Sequence, residues 1–184
     1  MSKANKSNKA IKYRLYPNDE QKVMFAKTFG CCRFVYNQLL ALQKQRYKDG
    51  ESHLSKLKSN EFATRTLKKD YDFLKEIDKF AVSNAVFHLA DAYDRFFKKQ
   101  NHFPKFKSKR KSKPSFYVDT SKVQFSDTHV KLEKIADSTR RNRAKANWIK
   151  LAEHNKIPLN VKYYNPRVTF DGLNWWISVG IECD

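Results

Sequence analysis

One strand-like segment of this chain stands alone, ahead of a helical region, while all the other strand-like segments follow that region. In "IKYRLY" the side chains alternate: Ile11, Tyr13 and Leu15 on one face, and Lys12, Arg14 and Tyr16 on the other. This alternation is typical of a half-buried strand, which Pro17 ends. Because the strand has no strand neighbour in sequence, we expect it to pair with the later strands. The sequence therefore predicts a β domain that is interrupted by an inserted helical domain.

The helical region opens with a capping signal. Asn18, with Gln21 three residues later, predicts a capping box at the start of a helix. We expect that helix to end near Phe29, because Gly30 predicts a break or a bend, and a longer helix to cover about 31–47.

Two further helices are predicted before the chain turns to strands. One covers roughly 59–69, and the clearest one begins after Asp78 and ends near Gln100. Apolar residues recur along this last helix at i, i+4 spacing, as expected of a core-facing helix: Ala81, Ala85, Leu89, Ala92 and Phe96. Pro104 and Pro114 exclude a continuous helix through the stretch that follows.

After residue 114 the hydrophobic period changes from helical to two. A turn is predicted around Thr128, and Asp171-Gly172 predicts a hairpin between the last two strands. The expected fold class is therefore α+β.

The formal charge of +19, from 38 Lys+Arg against 19 Asp+Glu, indicates a polyanionic partner, of which nucleic acid is the first candidate. The alternative is surface charge that serves solubility alone. The chain shows no apolar run of the ~20 residues that a membrane span needs and no signal-peptide pattern near its start. We expect no membrane partner and a cytoplasmic, nucleoid-associated protein.

Sequence motifs for catalysis or metal binding are absent from these 184 residues. There is no P-loop, no GxGxxG, no HExxH and no CxxC pair, and the five histidines are scattered. Cys31 and Cys32 are adjacent and are interpreted as small buried thiols. We predict no catalytic residue, no metal site and no cofactor in this chain.

The basic strip, Lys98–Lys113, carries eight Lys or Arg and no Asp or Glu. Lysines interleaved with aromatic residues are typical of surfaces that neutralise phosphates and stack bases. We expect Lys105, Lys107 and Lys109 to project to one side, with Phe103 and Phe106 either anchored to the core or stacked on bases. A disordered linker is the alternative. A second basic group comprises Arg140, Arg141, Arg143 and Lys145.

Several motifs together resemble one family closely. "RLYP", "RFVYN", "DKFA", "FPKFK" and "GLNWWISV" are similar to the N-terminal half of TnpB, a transposon-encoded RNA-guided nuclease family ancestral to type V CRISPR effectors. The resemblance covers nearly the whole chain. It implies an OB-like β-barrel wedge domain interrupted by a helical-bundle recognition domain, with boundaries at 1–16, 17–103 and 104–184.

The resemblance also implies partners. In the family this half binds a guide RNA and a transposon-adjacent motif on double-stranded DNA, in bacterial or phage-encoded systems. The RuvC nuclease domain, which needs Mg²⁺, is not found in this sequence. We therefore expect an RNA-guided DNA-binding module without nuclease activity, completed by a RuvC subunit in trans or acting as a homodimer. The alternatives are a guide-independent DNA-binding regulator and a truncated fragment of a full-length nuclease.

Specific contact residues follow from the resemblance. The residues that match the DNA motif readers are Lys79, Phe80 and Ser83, with weaker matches at Lys56, Asn60, Thr120 and Ser121. The residues expected to bind RNA are Arg14, Tyr16, Arg33, Asn37, Lys105, Lys107, Lys109, Arg110 and Lys111.

Overall fold

In the computed structural model, which describes residues 7–136 and 143–183, the N-terminal strand lies inside a sheet made by later strands. The chain divides into two compact units: Met1–Phe25 with Lys113–Asp184, here called the sheet unit, and Ala26–Ser112, here called the helical unit. The predicted α+β class is confirmed.

The sheet unit contains an antiparallel sheet, with seven strands among the described residues. The strands are β1 (Ser7–Tyr16), β2 (Ser115–Tyr117), β3 (Gln124–Phe125), β4 (His129–Lys131), β5 (Trp148–Leu151), β6 (Tyr163–Phe170) and β7 (Trp175–Cys183). Their order across the sheet is β2-β6-β7-β1-β5-β4-β3. Strand β1 pairs with β7 along its whole length and with β5 at its end, which confirms that the isolated strand joins the later ones.

One face of this sheet forms the core of the unit. The following residues on that face are at most 8% exposed: Tyr13, Leu15, Phe116, Val130, Ile149, Leu151, Val168, Ile177, Val179 and Ile181. The predicted hairpin around Asp171 is present, and Gly172 adopts a φ of 103°, which glycine accepts more readily than other residues.

Helix α1 (Asp19–Lys48) is one continuous helix. The predicted capping box is present: the Gln21 N–H donates to Asn18 Oδ1 at 2.9 Å, and the Asn18 N–H donates to Gln21 Oε1 at 3.0 Å. The predicted break at Gly30 is wrong. A glycine inside a helix costs only roughly 0.5–1 kcal/mol relative to alanine, and burial of the neighbouring Cys31, Cys32 and Val35 stabilises the helix across it.

The helical unit continues after α1 with a second helical segment. It comprises α2 (Lys56–Glu61), a π-helical stretch (Phe62–Leu67), α3 (Lys68–Asp70) and a 3₁₀ turn (Asp72–Lys75). Helix α4 (Lys79–Phe97) follows and buries the predicted apolar stripe, including Ala81, Ala85 and Leu89.

Helix α4 ends three residues earlier than the sequence predicts. The Gln100 N–H donates to the Arg95 carbonyl at 2.8 Å and the Lys99 N–H to the Phe96 carbonyl at 2.9 Å, with Lys99 at a φ of 56°. This is a Schellman motif, which reverses the chain direction with a lysine at the position that usually holds glycine.

The predicted basic loop around Arg140 and Arg141 lies outside the described residues, and the four-residue helix α5 (Arg143–Ala146) follows it. Within the part of the chain that the structure describes, helices long and apolar enough to cross a membrane are absent.

Candidate nucleic-acid interface

The second face of the sheet, here called the outer face, carries basic and aromatic side chains in rows across the strands. Registered pairs join Tyr117 on β2 to Arg167 on β6, Arg167 to Ser178 on β7, and Ser178 to Lys12 on β1. Directly opposed residues in an antiparallel sheet hold their Cβ atoms roughly 4.5–5.5 Å apart, so each row is a continuous surface.

A second row runs beside the first. Ser115, Thr169, Trp176 and Arg14 follow one another across β2, β6, β7 and β1, and at the end of β1 Tyr16 pairs with Lys150 of β5. The outer face therefore combines five cations with five aromatic rings: Lys12, Arg14, Lys131, Lys150 and Arg167, and Tyr16, Tyr117, Trp148, Tyr164 and Trp176.

Two of the cations on this face, Lys12 and Arg14, lie over aromatic rings. Lys12 Nζ is 4.4 Å from the Trp176 ring centroid, and the Arg14 guanidinium carbon is 5.0 Å from that of Tyr16. Arg14 Nε is buried and has no hydrogen-bond partner among the described residues, so this guanidinium keeps an unused donor. Ring faces and ammonium or guanidinium groups held together in this way suit a strand of stacked bases and its phosphates.

Asp171 sits at the end of the outer face, where it fixes the orientation of Trp176. Its carboxylate accepts hydrogen bonds from the backbone N–H groups of Asn174 and Leu173 and from the Trp176 indole at 2.7 Å. These donors, Asn174 first, lower the pKa of Asp171 to about 2. The carboxylate therefore stays ionised and holds the indole in place.

In the helical unit, predicted motif-binding residues gather along one stripe of α4. Lys79, Ser83, Phe87 and Asp91 follow one another at i, i+4 spacing, and Lys79 Nζ lies 5.1 Å from the Phe80 ring. Lys56 reaches this stripe from α2: its Nζ is 4.4 Å from the Phe87 ring and 3.7 Å from Asp91 Oδ1.

Asn60 lies one helical turn after Lys56, in an element that contacts α4. Its Oδ1 is buried and has no partner among the described residues, so the side chain has an unused acceptor. Lys56 and Asn60 thus join the α4 stripe in one local surface.

Thr120 and Ser121 belong to the sheet unit instead. The Thr120 hydroxyl is 3.4 Å from the Tyr117 hydroxyl on β2, beside the outer face, while the Ser121 hydroxyl donates to Asp119 at 2.8 Å.

The basic strip is held against α1 at one point. The Asn37 amide donates to the Lys107 carbonyl at 2.8 Å and accepts from the Lys107 N–H at 2.8 Å, much as a paired strand would. Lys107 Nζ lies 4.1 Å from the Tyr36 ring, whereas Lys105 and Lys109 are exposed. The expectation that Lys105, Lys107 and Lys109 project together is therefore wrong, because Lys107 packs against α1.

The rest of the strip turns rather than extends. The Ser112 N–H donates to the Ser108 carbonyl at 3.0 Å, so Lys109, Arg110 and Lys111 lie on an exposed turn. Phe103 packs edge-on against Tyr93, and Phe106 is 53% exposed. Arg33 lies half-buried on α1, one turn before Asn37.

Sequence reasoning named two members of the outer face as contact residues, Arg14 and Tyr16. It placed Lys12 on the same strand face without assigning it a contact, and it missed the other cations and rings. Trp176 and Lys12 could have been assigned to the site from the alternation of β7 and β1, since each stands next to a core residue in sequence, Ile177 and Tyr13 respectively. Arg167 could not have been assigned in this way, because a bulge in β6 interrupts the alternation of side chains before it.

Metal-ligating side chains do not gather in the described residues. No group of three or more His, Cys, Asp or Glu there is arranged to hold a metal ion. Burial raises the pKa of the Cys31 thiol to about 11, which keeps it protonated and unreactive.

Comparison with known proteins gives consistent matches. A family model described as a helix-turn-helix domain, HTH_OrfB_IS605, matches residues 5–52. Two curated relatives carry the name "Putative RNA-guided DNA endonuclease". One, from Streptomyces pristinaespiralis, is 32% identical over 70% of this chain, and the other, InsQ of Escherichia coli K12, is 25% identical over 95% of it.

The chain spans less than half the length of these two relatives. The chain covers 32% of the Streptomyces protein and 40% of InsQ. A third relative, "Virulence protein VsdF" of Salmonella dublin, is 32% identical over 55% of this chain, and the match covers 93% of that protein.

Proposed function

Because the chain belongs to the TnpB family, we propose that it binds a guide RNA and, together with that RNA, a motif-bearing DNA duplex. The observation that carries the proposal is the outer face of the sheet, where five cations and five aromatic rings lie on paired strands. The two relatives named RNA-guided DNA endonucleases support the same assignment.

The proposal divides the work between the two units. The sheet unit is the wedge domain, of OB-like barrel type, and grips RNA through Lys12, Arg14 and Trp176. The helical unit is the recognition domain. Its exposed cations Lys105, Lys109, Arg110 and Lys111, with Arg33, add contacts to the RNA backbone, and Asn37 positions the strip that carries Lys107.

The DNA motif is read by the α4 stripe. Lys79 lies in the first turn of α4, and Ser83 lies one turn later on the same stripe. Lys56 and Asn60 join this stripe from α2. Ser83 and the amide N–H₂ group of Asn60 supply hydrogen bonds to base edges, while the two lysines neutralise phosphates. Thr120 and Ser121 add contacts from the sheet unit.

Cleavage is assigned to a RuvC domain or subunit outside these residues. That RuvC component would bring the carboxylate cluster and the Mg²⁺ that phosphodiester hydrolysis requires. We propose this arrangement because the TnpB resemblance assigns hydrolysis to a RuvC domain, while the surfaces described above are suited to binding.

The first experiment is purification from cells followed by extraction and sequencing of bound RNA. We expect a structured RNA to co-purify with the wild-type chain and to be lost from the double variant Lys12→Glu/Arg14→Glu. The matched control is Lys58→Glu/Lys69→Glu, which changes the net charge equally on exposed lysines of the helical unit. Equal loss in both variants would mean that net charge alone holds the RNA.

A salt titration makes the same test quantitative. If all five cations of the outer face neutralise phosphates of single-stranded RNA, log K falls with log salt at a slope of about −3.5, or roughly 0.7 per phosphate. Charge reversal at Lys12 and Arg14 should reduce that slope by about 1.4. Protein freed of RNA that still binds specific duplex DNA would instead favour a guide-independent regulator.

A further inference from the structure

An aromatic pocket of about 600 Å³ opens on the helical unit. Phe103, expected from the sequence either to be anchored to the core or to stack on bases, lines it, and the residues matched to DNA or RNA contacts through the family resemblance do not. Its walls come from the end of α1, the segment after α1 and the end of α4. The residues that define it are Lys44, Tyr47, His53, Tyr93, Phe97 and Phe103.

The rings in this pocket cluster around buried Tyr93, and several of them are exposed to water. The His53 ring lies 4.5 Å from Tyr93 and 5.7 Å from Phe97, and Phe103 meets Tyr93 edge-on at 5.5 Å. Tyr47 is 85% exposed and Phe97 60%. Large apolar rings that stay in contact with water and with one another mark a binding surface rather than a core.

The pocket is already formed in the free chain. Buried Gln43 accepts a hydrogen bond from the Leu54 N–H at 3.0 Å and donates one to the Leu54 carbonyl at 3.2 Å, which fixes the segment carrying His53. On the other side, the Schellman motif at Lys99 turns the chain back and brings Phe103 onto α4. A preformed site avoids the cost of ordering its walls when a ligand binds.

Positive charge borders the rings. Lys44 Nζ lies 5.5 Å from the Phe103 ring and 4.6 Å from that of Phe106, and Lys48 also lines the pocket. Glu51, the acidic lining residue, forms an ion pair with Arg46. The combination of ring faces and two ammonium groups suits a flat aromatic ligand that carries phosphate.

We propose that this pocket takes one unstacked base of the RNA that the chain binds, with Lys44 and Lys48 at the adjoining phosphates. The inference rests on the proposed function, since it assumes bound RNA. A second copy of this chain is a poorer fit, because two surfaces of a chain with a formal charge of +19 repel each other. A neutral apolar ligand would leave both lysines unused.

The probe is a short single-stranded RNA with 2-aminopurine at one central position, whose fluorescence falls when the base stacks on a ring. We expect wild-type protein to quench it. We expect Phe97→Leu, which keeps apolar bulk and removes the ring, to lower the affinity roughly 5- to 150-fold, the range for one base–aromatic stack. Tyr71→Leu, at an exposed ring elsewhere in the unit, should leave the affinity unchanged.

An abasic RNA, combined with the Phe97→Leu variant, gives a double-mutant cycle between the base and the ring. Removal of the base should weaken binding to wild-type protein by the same factor as Phe97→Leu, and should not weaken binding to the variant further. If the abasic RNA binds wild-type protein as well as the intact one does, while Lys12→Glu/Arg14→Glu still abolishes binding, the pocket proposal fails and the proposed function stands. If neither RNA binds, both fail.

Sedimentation of the same proteins tests whether a second copy of this chain occupies the pocket instead. We expect the wild-type chain and Phe97→Leu to sediment alike. A wild-type dimer that Phe97→Leu dissociates would make the pocket an interface between copies of this chain and would overturn the proposal.

Discussion

Replacement of Gln21 by alanine should lower the free energy of unfolding of the sheet unit by more than the loss of one hydrogen bond would. Gln21 is only 3% exposed. Its Nε2 donates to the carbonyls of Ala146 at 3.0 Å and Trp148 at 2.9 Å, and its Oε1 accepts from the Asn18 N–H. Three hydrogen bonds at about 1 kcal/mol each predict a loss of about 2–4 kcal/mol in the free energy of unfolding.

The measurement is urea unfolding followed by tryptophan fluorescence. All three tryptophans of the chain, Trp148, Trp175 and Trp176, belong to the sheet unit, so the signal reports on that unit. With a denaturant slope of about 2 kcal/mol per M, the middle of the usual range for urea, the midpoint should fall by roughly 1–2 M.

The control for this prediction is Asn18→Ala. It removes the side-chain half of the capping box and leaves the two bonds to Ala146 and Trp148 intact, so it should cost only about 1 kcal/mol. If Gln21→Ala costs no more than Asn18→Ala, the contacts from α1 to the start of β5 do not stabilise the unit and the reasoning is refuted.

Four further predictions follow from single contacts. The Asp171 pKa of about 2 lies below the ordinary 3.8, so its stabilisation of the hairpin is complete above pH 3.8 and is lost as the pH falls through 2; a carboxyl ¹³C titration midpoint at 3.8 would contradict this. Asn37→Ala should speed hydrogen exchange at the Lys107 N–H, and unchanged exchange would show that the strip is held elsewhere. Lys99→Gly should stabilise the end of α4 by up to about 1 kcal/mol, because it relieves the positive φ; a lower melting temperature would argue against that. Ser83→Ala should change DNA sequence preference in a selection assay more than it changes total affinity, and the opposite result would remove Ser83 from base recognition.

The sequence predicted those parts of the fold where a local signal and the tertiary environment agree. Alternation in β1, the Asn18–Gln21 capping box and the Asp171-Gly172 turn each depend on neighbours in sequence, and all three are present. Gly30 is the counterexample, since its weak helix propensity is outweighed by the burial of the residues that follow it.

The candidate site was harder to predict than the fold because it is assembled by register between strands. Tyr164 pairs with Gly180, and Arg167 pairs with Ser178. Tyr164 and Arg167 therefore both lie on the outer face, although they lie an odd number of positions, three, apart. A bulge at Asn165, which has a φ of 47°, interrupts the alternation of side chains between the two faces. Strict alternation from Tyr164 would have placed Arg167 in the core and Val168 outside, so only the paired structure identifies Arg167 as part of the surface.

The match to a helix-turn-helix model has a structural consequence for DNA binding. That motif needs two helices at about 90–120° joined by a short turn, with the second helix in the major groove. The described part of residues 5–52 instead holds strand β1 and the single helix α1, which passes through Gly30 without a turn. The matched segment therefore characterises a sequence family rather than that geometry. Under the proposed function, duplex recognition must then come from another element. The α4 stripe, with exposed Lys79 and half-buried Ser83, has polar side chains to supply it.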